Sequence, residues 1–358
     1  MLNRCVCNEL AFIVRRCASA FLIGSFMLAA SPLMAQSDLG PVTIGAGLQS
    51  SFAHIAPDGG TSKDKFLINS ARLYVNGPVT EKIKFMFNTE FDGNTNKIGV
   101  LDAVARVEQS PMFNIWAGRF LPPSDRSNLY GPYYSHHWNV YTDGIQDGYP
   151  FVATGRDNGA VYWGDFAKRI KVSVGAFDGA SLPGGNPKVL GAARVQIDFW
   201  DPEGGYYLNG TYYGDKNLLA IGGASQVQSG KTASSFDFLM ERKLPDGSVV
   251  TIESEYANYN RLGGYDATHA KSQGAYILGS YLFPKPIGAG KIEILGKYGK
   301  AQFTHGLTPN YHLKTTEVNL NYVIKEFNAR VMFFYLKSDY NRSVTDVWQS
   351  GVGLQIQM

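Results

Sequence analysis

Three observations predict an all-β fold, a transmembrane antiparallel β-barrel of sixteen strands. Apolar and polar residues alternate along most of the 358-residue chain, the alternating segments are long, and an export leader precedes them. Alternation with period two gives a strand one apolar and one polar side. The polar sides carry full charges over about ten residues, whereas the strands of a soluble sandwich run to about 5 to 6 residues. In a barrel the apolar side meets lipid, the polar side lines water, and closure leaves no sheet edge unpaired in hydrocarbon.

The leader comes first. Residues 1–35 carry Arg4, Arg15 and Arg16, then the apolar run "CASAFLIGSFMLAASPLMA", which reads as a secretory signal peptide cut after Ala35. A signal anchor is the alternative, but the run is short of the about 20 apolar residues a span needs. Cys5, Cys7 and Cys17 all lie in this segment, so the exported chain, 36–358, has no thiol for a disulfide, a zinc site or catalysis. Without the leader 30 Lys+Arg face 29 Asp+Glu, a net charge of +1 that excludes an ordinary nucleic-acid binder. After Ala35 no apolar stretch approaches the about 18 residues of a membrane helix.

The strands follow in order. In "EKIKFMFNTEFDG", Ile83, Phe85, Phe87 and Phe91 share one side, and Lys82, Lys84, Asn88 and Glu90 the other. "LDAVARVE" sets Leu101, Ala103, Ala105 and Val107 against Asp102, Arg106 and Glu108, and the final "WQSGVGLQIQM" alternates to Met358. This reading places eight strands near 42–54, 65–76, 80–92, 99–109, 112–121, 157–166, 169–178 and 189–200. Eight more fall near 217–228, 233–244, 247–260, 271–283, 290–303, 313–325, 328–340 and 345–358. Tight connections such as "NGPVT", "QSPM" and "LPDGS" alternate with long ones such as "RLGGYDATHA", as a barrel with short periplasmic turns requires. "DPEGGYYLNGTYYGDKN", Asp201 to Asn217, sits on the short side and is read as an elaborated turn; counting it as strand gives the alternative of eighteen.

The connection from Pro122 to Arg156 is the exception in length. Loops beyond about 12 to 15 residues are functional or disordered, and disorder suits segments poor in aromatics. This one contains Tyr130, Tyr133, Tyr134, Trp138, Tyr141, Tyr149 and Phe151. The nearest surface able to bury such rings is the inner wall of a barrel whose sixteen strands leave a channel. Residues 122–156 are therefore read as a third loop folded into the lumen, with a cap packed outside as the alternative. His136 and His137 within it could ligate a metal, but adjacent side chains on an extended chain point apart, so they are read as exposed loop histidines.

The runs "SARLYVNGPVTEKIKFMFNTEFDG", "DAVARVEQSPMFNIWAGRFLPPSDRSN" and "GRDNGAVYWGDF" with "KVSVGAFDG" resemble the phosphate-selective porin family, porins O and P. The resemblance is closest over 66–179. It implies an outer-membrane channel of sixteen strands, usually trimeric, and it places Arg119, Pro122, Pro123, Arg156 and Asp157 at the ends of a constricting loop. Two departures stand out. Pro122 to Arg156 holds only Arg126 and Arg156 against Asp125, Asp143 and Asp147, so the loop gives no reason to expect phosphate specificity, and Met358 replaces the usual terminal aromatic.

The expected function is a porin for passive diffusion of small hydrophilic solutes and ions through the cell outer membrane. Its constriction is assigned to Arg119, Asp125, Arg126, Arg156 and Asp157. Its lining is assigned to Arg72, Lys82, Lys84, Glu90, Arg106 and Glu108, with Glu253, Glu255, Glu293, Lys297, Glu317 and Arg330 also towards water. The mixed charges predict weak selectivity with a slight lean to anions. Outer-membrane lipid and lipopolysaccharide, small anions or other small solutes, and two further copies in a homotrimer are the expected partners; no cofactor, metal or nucleic acid is expected. No enzyme is expected either: "SQVQSGKT" has Ser225 where a P-loop needs its first glycine, and neither His-Glu-x-x-His nor Gly-x-Ser-x-Gly occurs. The alternative is a structural sheath around a partner such as an electron-transfer cytochrome; the chain itself lacks the Cys-x-x-Cys-His of a c-type haem.

Overall fold

The computed structural model describes residues 42–93, 96–140, 155–179, 189–262, 269–341 and 345–358. The leader read at 1–35 and the third-loop residues Asp143, Asp147, Tyr149 and Phe151 lie outside the described residues. Sixteen antiparallel strands close into one barrel. They are β1 (Thr43–Pro57), β2 (Lys63–Pro78), β3 (Ile83–Asp92), β4 (Lys97–Ser110), β5 (Phe113–Phe120), β6 (Asp157–Phe166), β7 (Ile170–Phe177) and β8 (Leu190–Asp198). After the inserted turn come β9 (Leu218–Gln228), β10 (Lys231–Lys243), β11 (Val249–Asn260), β12 (His269–Leu282), β13 (Lys291–Gly306), β14 (Tyr311–Lys325), β15 (Ala329–Tyr340) and β16 (Val347–Gln357). Each strand pairs with its sequence neighbours, and β1 seals against β16 from Gly47 opposite Gln357 to Pro57 opposite Val347. Residues 201–217 contribute no strand, so the count is sixteen and not eighteen.

The pleat sorts side chains as the alternation demands. On β11, Glu253 and Glu255 are buried inside while Ile252 and Tyr256 are exposed outside; on β14, Glu317 is buried and Val318 exposed. An outward Arg or Lys near a bilayer midplane costs about 2–4 kcal/mol, which is why the charges take the other side. Two of the four register shifts among the described strands, at Gln49/Ser50 against β2 and at Asn88/Thr89 against β4, insert an extra residue into the longer strand. The second makes Leu101 and Asp102, adjacent in sequence, both buried.

Most of the packed core lies inside the barrel rather than between sheets. From Leu121 to Tyr130 every residue of the third loop is buried. The loop winds into a short helix, α1 (Arg126–Tyr130), because the Asp125 side chain caps it by accepting from Asn128 N at 2.8 Å. Gly131, at φ 60°, ends it in a conformation that favours glycine, and a single 3₁₀ turn, Pro132–Tyr134, follows.

Candidate functional site

The third loop runs along the inner wall from β8 round to β2, bound to successive strands. Gln226 on β9 donates to Pro123 O at 2.8 Å, and Arg194 on β8 to Ser124 O at 3.2 Å. Arg126, fully buried, forks onto Glu203 and lies 3.6 Å from Asp237 on β10. Ser127 donates from both N and Oγ to Glu255 at 3.1 Å, and Tyr130 Oη donates to Glu253 at 2.8 Å. Further on, Arg330 donates to the Ser135 carbonyl, His136 Nδ1 meets Glu293 at 3.0 Å, and Trp138 N donates to Glu317 at 2.8 Å. The tip crosses to β2, where Tyr133 Oη donates to Ser70 O at 3.2 Å and the Arg72 guanidinium sits 4.5 Å over the Tyr133 ring.

The inserted turn, 201–217, grips the loop from the other side. Tyr206 Oη donates to Leu121 O at 2.8 Å, Arg126 to Asn209 O at 2.9 Å, and Gly210 N to Tyr134 O at 2.8 Å. Its Glu203 closes the ion pair. Burial alone would raise that carboxyl, but the Arg126 guanidinium outweighs it and holds the group at about 2. Burial, then the neighbouring Lys297, push the His137 imidazole well down. For His136 burial pushes down too, but Glu293 prevails and the imidazole is raised.

Space remains beside the opposite wall. A cavity of about 470 Å³ is bordered by Arg72, Tyr74, Asn76, Asn88 and Asp102 on β2–β4 and by Tyr134, Arg156, Tyr207 and Asn209 from loop and turn. A second, of about 510 Å³, is bordered by Arg106, Glu108, Asn114 and Trp116; Tyr207 borders both. The charges here come in pairs: Arg72 with Glu90 at 2.9 Å, Arg156 with Asp102 at 3.4 Å, Lys84 with Glu108 at 2.6 Å, and Arg106 3.8 Å from Glu108.

Of the five residues assigned to the constriction, only Arg156 borders this space. Asp125 is a helix cap and Arg126 a buried anchor; Asp157 is buried, accepting from Gly179 N at 2.7 Å and Asn158 N at 2.8 Å. Arg119 is on the outer face, a correction with a clear cause. Asn114, Trp116 and Phe120 are the inward set of β5, so the odd-numbered residues point out, and Arg119 pairs there with Ala103 and Asn158. Lys82 is likewise not on the wall but exposed in the turn between β2 and β3. Arg72, Lys84, Glu90, Arg106 and Glu108 do face inwards. His136 and His137 are buried at 0% and 1% exposure, not exposed, because the loop that carries them is packed. The reading from sequence had Tyr133 and Tyr134 only as rings of the inward loop and missed Tyr207, Arg194 and Glu203; the dense aromatics of "YYLNGTYY" were the available signal for the turn.

No protein-family profile matches the chain, and no curated protein sequence matches it. Solved structures do. The outer membrane channel DcaP of Acinetobacter baumannii superposes with a TM-score of 0.57 at 12% identity, over 88% of this chain and 97% of that one. OmpF of Salmonella typhi, in complex with daunomycin, gives 0.56 at 13%, over 88% and 97%. A loop-deletion mutant of OmpT, an outer membrane protein of Vibrio cholerae, gives 0.57 at 14%, over 90% and 100%. The fold is that of these outer-membrane porins and channels, and no family profile supports porins O and P in particular.

Proposed function

We infer that the protein is an outer-membrane porin, exported by the leader at 1–35 and passing small hydrophilic solutes by passive diffusion. The observation that carries this is the division of the lumen: the third loop is clamped to the β8–β16 wall while a polar cavity stays open beside β2–β4. The same packing argues against the sheath, because the chain's own loop and turn occupy the interior a threaded partner would need. A homotrimer resting in lipid and lipopolysaccharide suits the class; OmpT of Vibrio cholerae has a trimer form.

Selectivity follows from pairing. A few charges set the potential of a narrow passage, and here each guanidinium bordering it has a carboxylate within 3.8 Å. The slight lean to anions rests on Arg72, Arg106, Arg156 and Lys84 outnumbering Glu90, Asp102 and Glu108. Phosphate specificity has no lysine cluster to support it. The test is the reversal potential of the purified protein in a planar bilayer under a salt gradient. A value small beside the Nernst limit, moving towards cation preference in Arg156→Ala, is expected. Absence of conductance would return the sheath to first place, and a strong native cation preference would overturn the lean.

A further inference from the structure

We propose that the cavity beside β2–β4 is a binding subsite for neutral, hydroxyl-rich solutes of the size of a mono- or disaccharide; the proposal rests on the channel reading above and names its substrate class. The volume, about 470 Å³, falls within the about 300–1,000 Å³ typical of small-molecule sites. The argument is one of matched chemistry. An arriving anion would compete with Glu90 for Arg72 and with Asp102 for Arg156, and an arriving cation would face the reverse. A hydroxyl both donates and accepts, so it can bridge either pair without unbalancing it.

The neutral groups match as well. Asn76 and Asn209 border the cavity, and an amide side chain carries both donors and an acceptor. Asn88, beside them, is occupied: its Nδ2 donates to Asp102 at 2.8 Å. Two rings complete the site. Tyr134 from the loop tip, 38% exposed, and Tyr207 from the inserted turn are both partly open, and each sets an apolar face beside a hydroxyl. A sugar has the same composition, C–H faces edged by hydroxyls. Among the described residues no lysine borders the cavity, and its two arginines are each paired with a carboxylate that phosphate would have to displace.

The experiment is current block in a planar bilayer, with maltose, glucose and inorganic phosphate as separate probes. Maltose is expected to interrupt the ion current in a concentration-dependent manner, phosphate not to, and Tyr134→Ala or Tyr207→Ala to weaken the block about tenfold. A conducting protein that maltose does not block, or that phosphate blocks instead, overturns the subsite and leaves the channel standing. If the protein does not conduct, titration calorimetry of the detergent-folded chain with maltose decides. Binding lost in both variants supports the subsite while the channel reading falls; no binding overturns both.

Discussion

Arg126 shows what a buried charge does in this lumen. Its guanidinium is removed from water, and it holds two carboxylates, Glu203 and Asp237, that come from elements far apart in sequence. Removing one partner of a buried pair leaves the other uncompensated, which costs about 3–5 kcal/mol; here that other is Glu203, since Asp237 keeps Arg194. Arg126→Ala is therefore expected to lower the unfolding temperature of the detergent-folded protein and to raise its single-channel conductance as the loop loosens. Unchanged stability would show that the pair is not an anchor. Glu203 gives the pH dependence. Its carboxyl is held below its ordinary 4.5, at about 2, so its contribution is complete above pH 4.5 and is lost as pH falls towards 2. Glu203→Gln should flatten the acid limb of the stability curve across that window, leaving the rest of the limb in place. His137 has the same sign nearer neutrality: its imidazole is depressed, so its contribution is lost as pH falls below 6.5. His136, raised, loses its contribution as pH rises through its own value.

Among elements, the third loop and the inserted turn work as one unit. The turn satisfies the loop's backbone carbonyls, Gly210 N donating to Tyr134 O and Leu208 N to Leu129 O. Close approach is built in by glycines on the wall. A Cβ at Gly47 would stand 2.7 Å from Tyr133 Cε1, and one at Gly353 would strike the Trp138 ring, which stacks on Phe334 at 5.2 Å. Gly353→Val should displace Trp138, at the about 1–3 kcal/mol usual for overpacking. Tryptophan fluorescence of the folded protein would report it; an unaltered spectrum with unaltered stability would mean that the loop does not press on β16. The packing also explains what the sequence could not supply. Arg126 and Glu203 are 77 residues apart, Ser127 and Glu255 are 128 apart, and no local pattern joins them.

For the whole molecule, legibility divides along the same line. The strands could be read because each one individually obeys the two-sided rule of a wall between lipid and water, so Ile252 against Glu253 needs no knowledge of the neighbours. The strand count and the inward course of the third loop could be read for the same reason, from parity and from rings with nowhere else to go. The roles of lumen charges could not. Arg126 and Arg156 look alike in sequence, yet one is an anchor and the other borders the passage, because only the fold decides which wall the loop covers. Arg119 was misread for a simpler reason, since a charge was given precedence over the alternation of Asn114 and Trp116.

That covered wall makes the barrel asymmetric, and the asymmetry can be measured. Inward positions on β2–β4 border open space, whereas inward positions on β11 and β14 lie beneath the loop: Ala257 is 0% exposed and Thr315 3%. Thiol reactivity follows exposure, and residues 1–35 contain every native cysteine. Single cysteines at Asn76 and Arg106 should therefore react quickly with a membrane-impermeant reagent, and cysteines at Ala257 and Thr315 slowly, although all four face inwards. Cysteines at Phe85 and Val318, on the outer face, should be shielded by lipid. Adding Arg126→Ala should speed labelling at Ala257 more than at Asn76, because it releases the loop from the wall that Ala257 shares. Equal rates at all four inward positions would mean that the loop does not divide the lumen, and the passage assigned to β2–β4 would have to be redrawn.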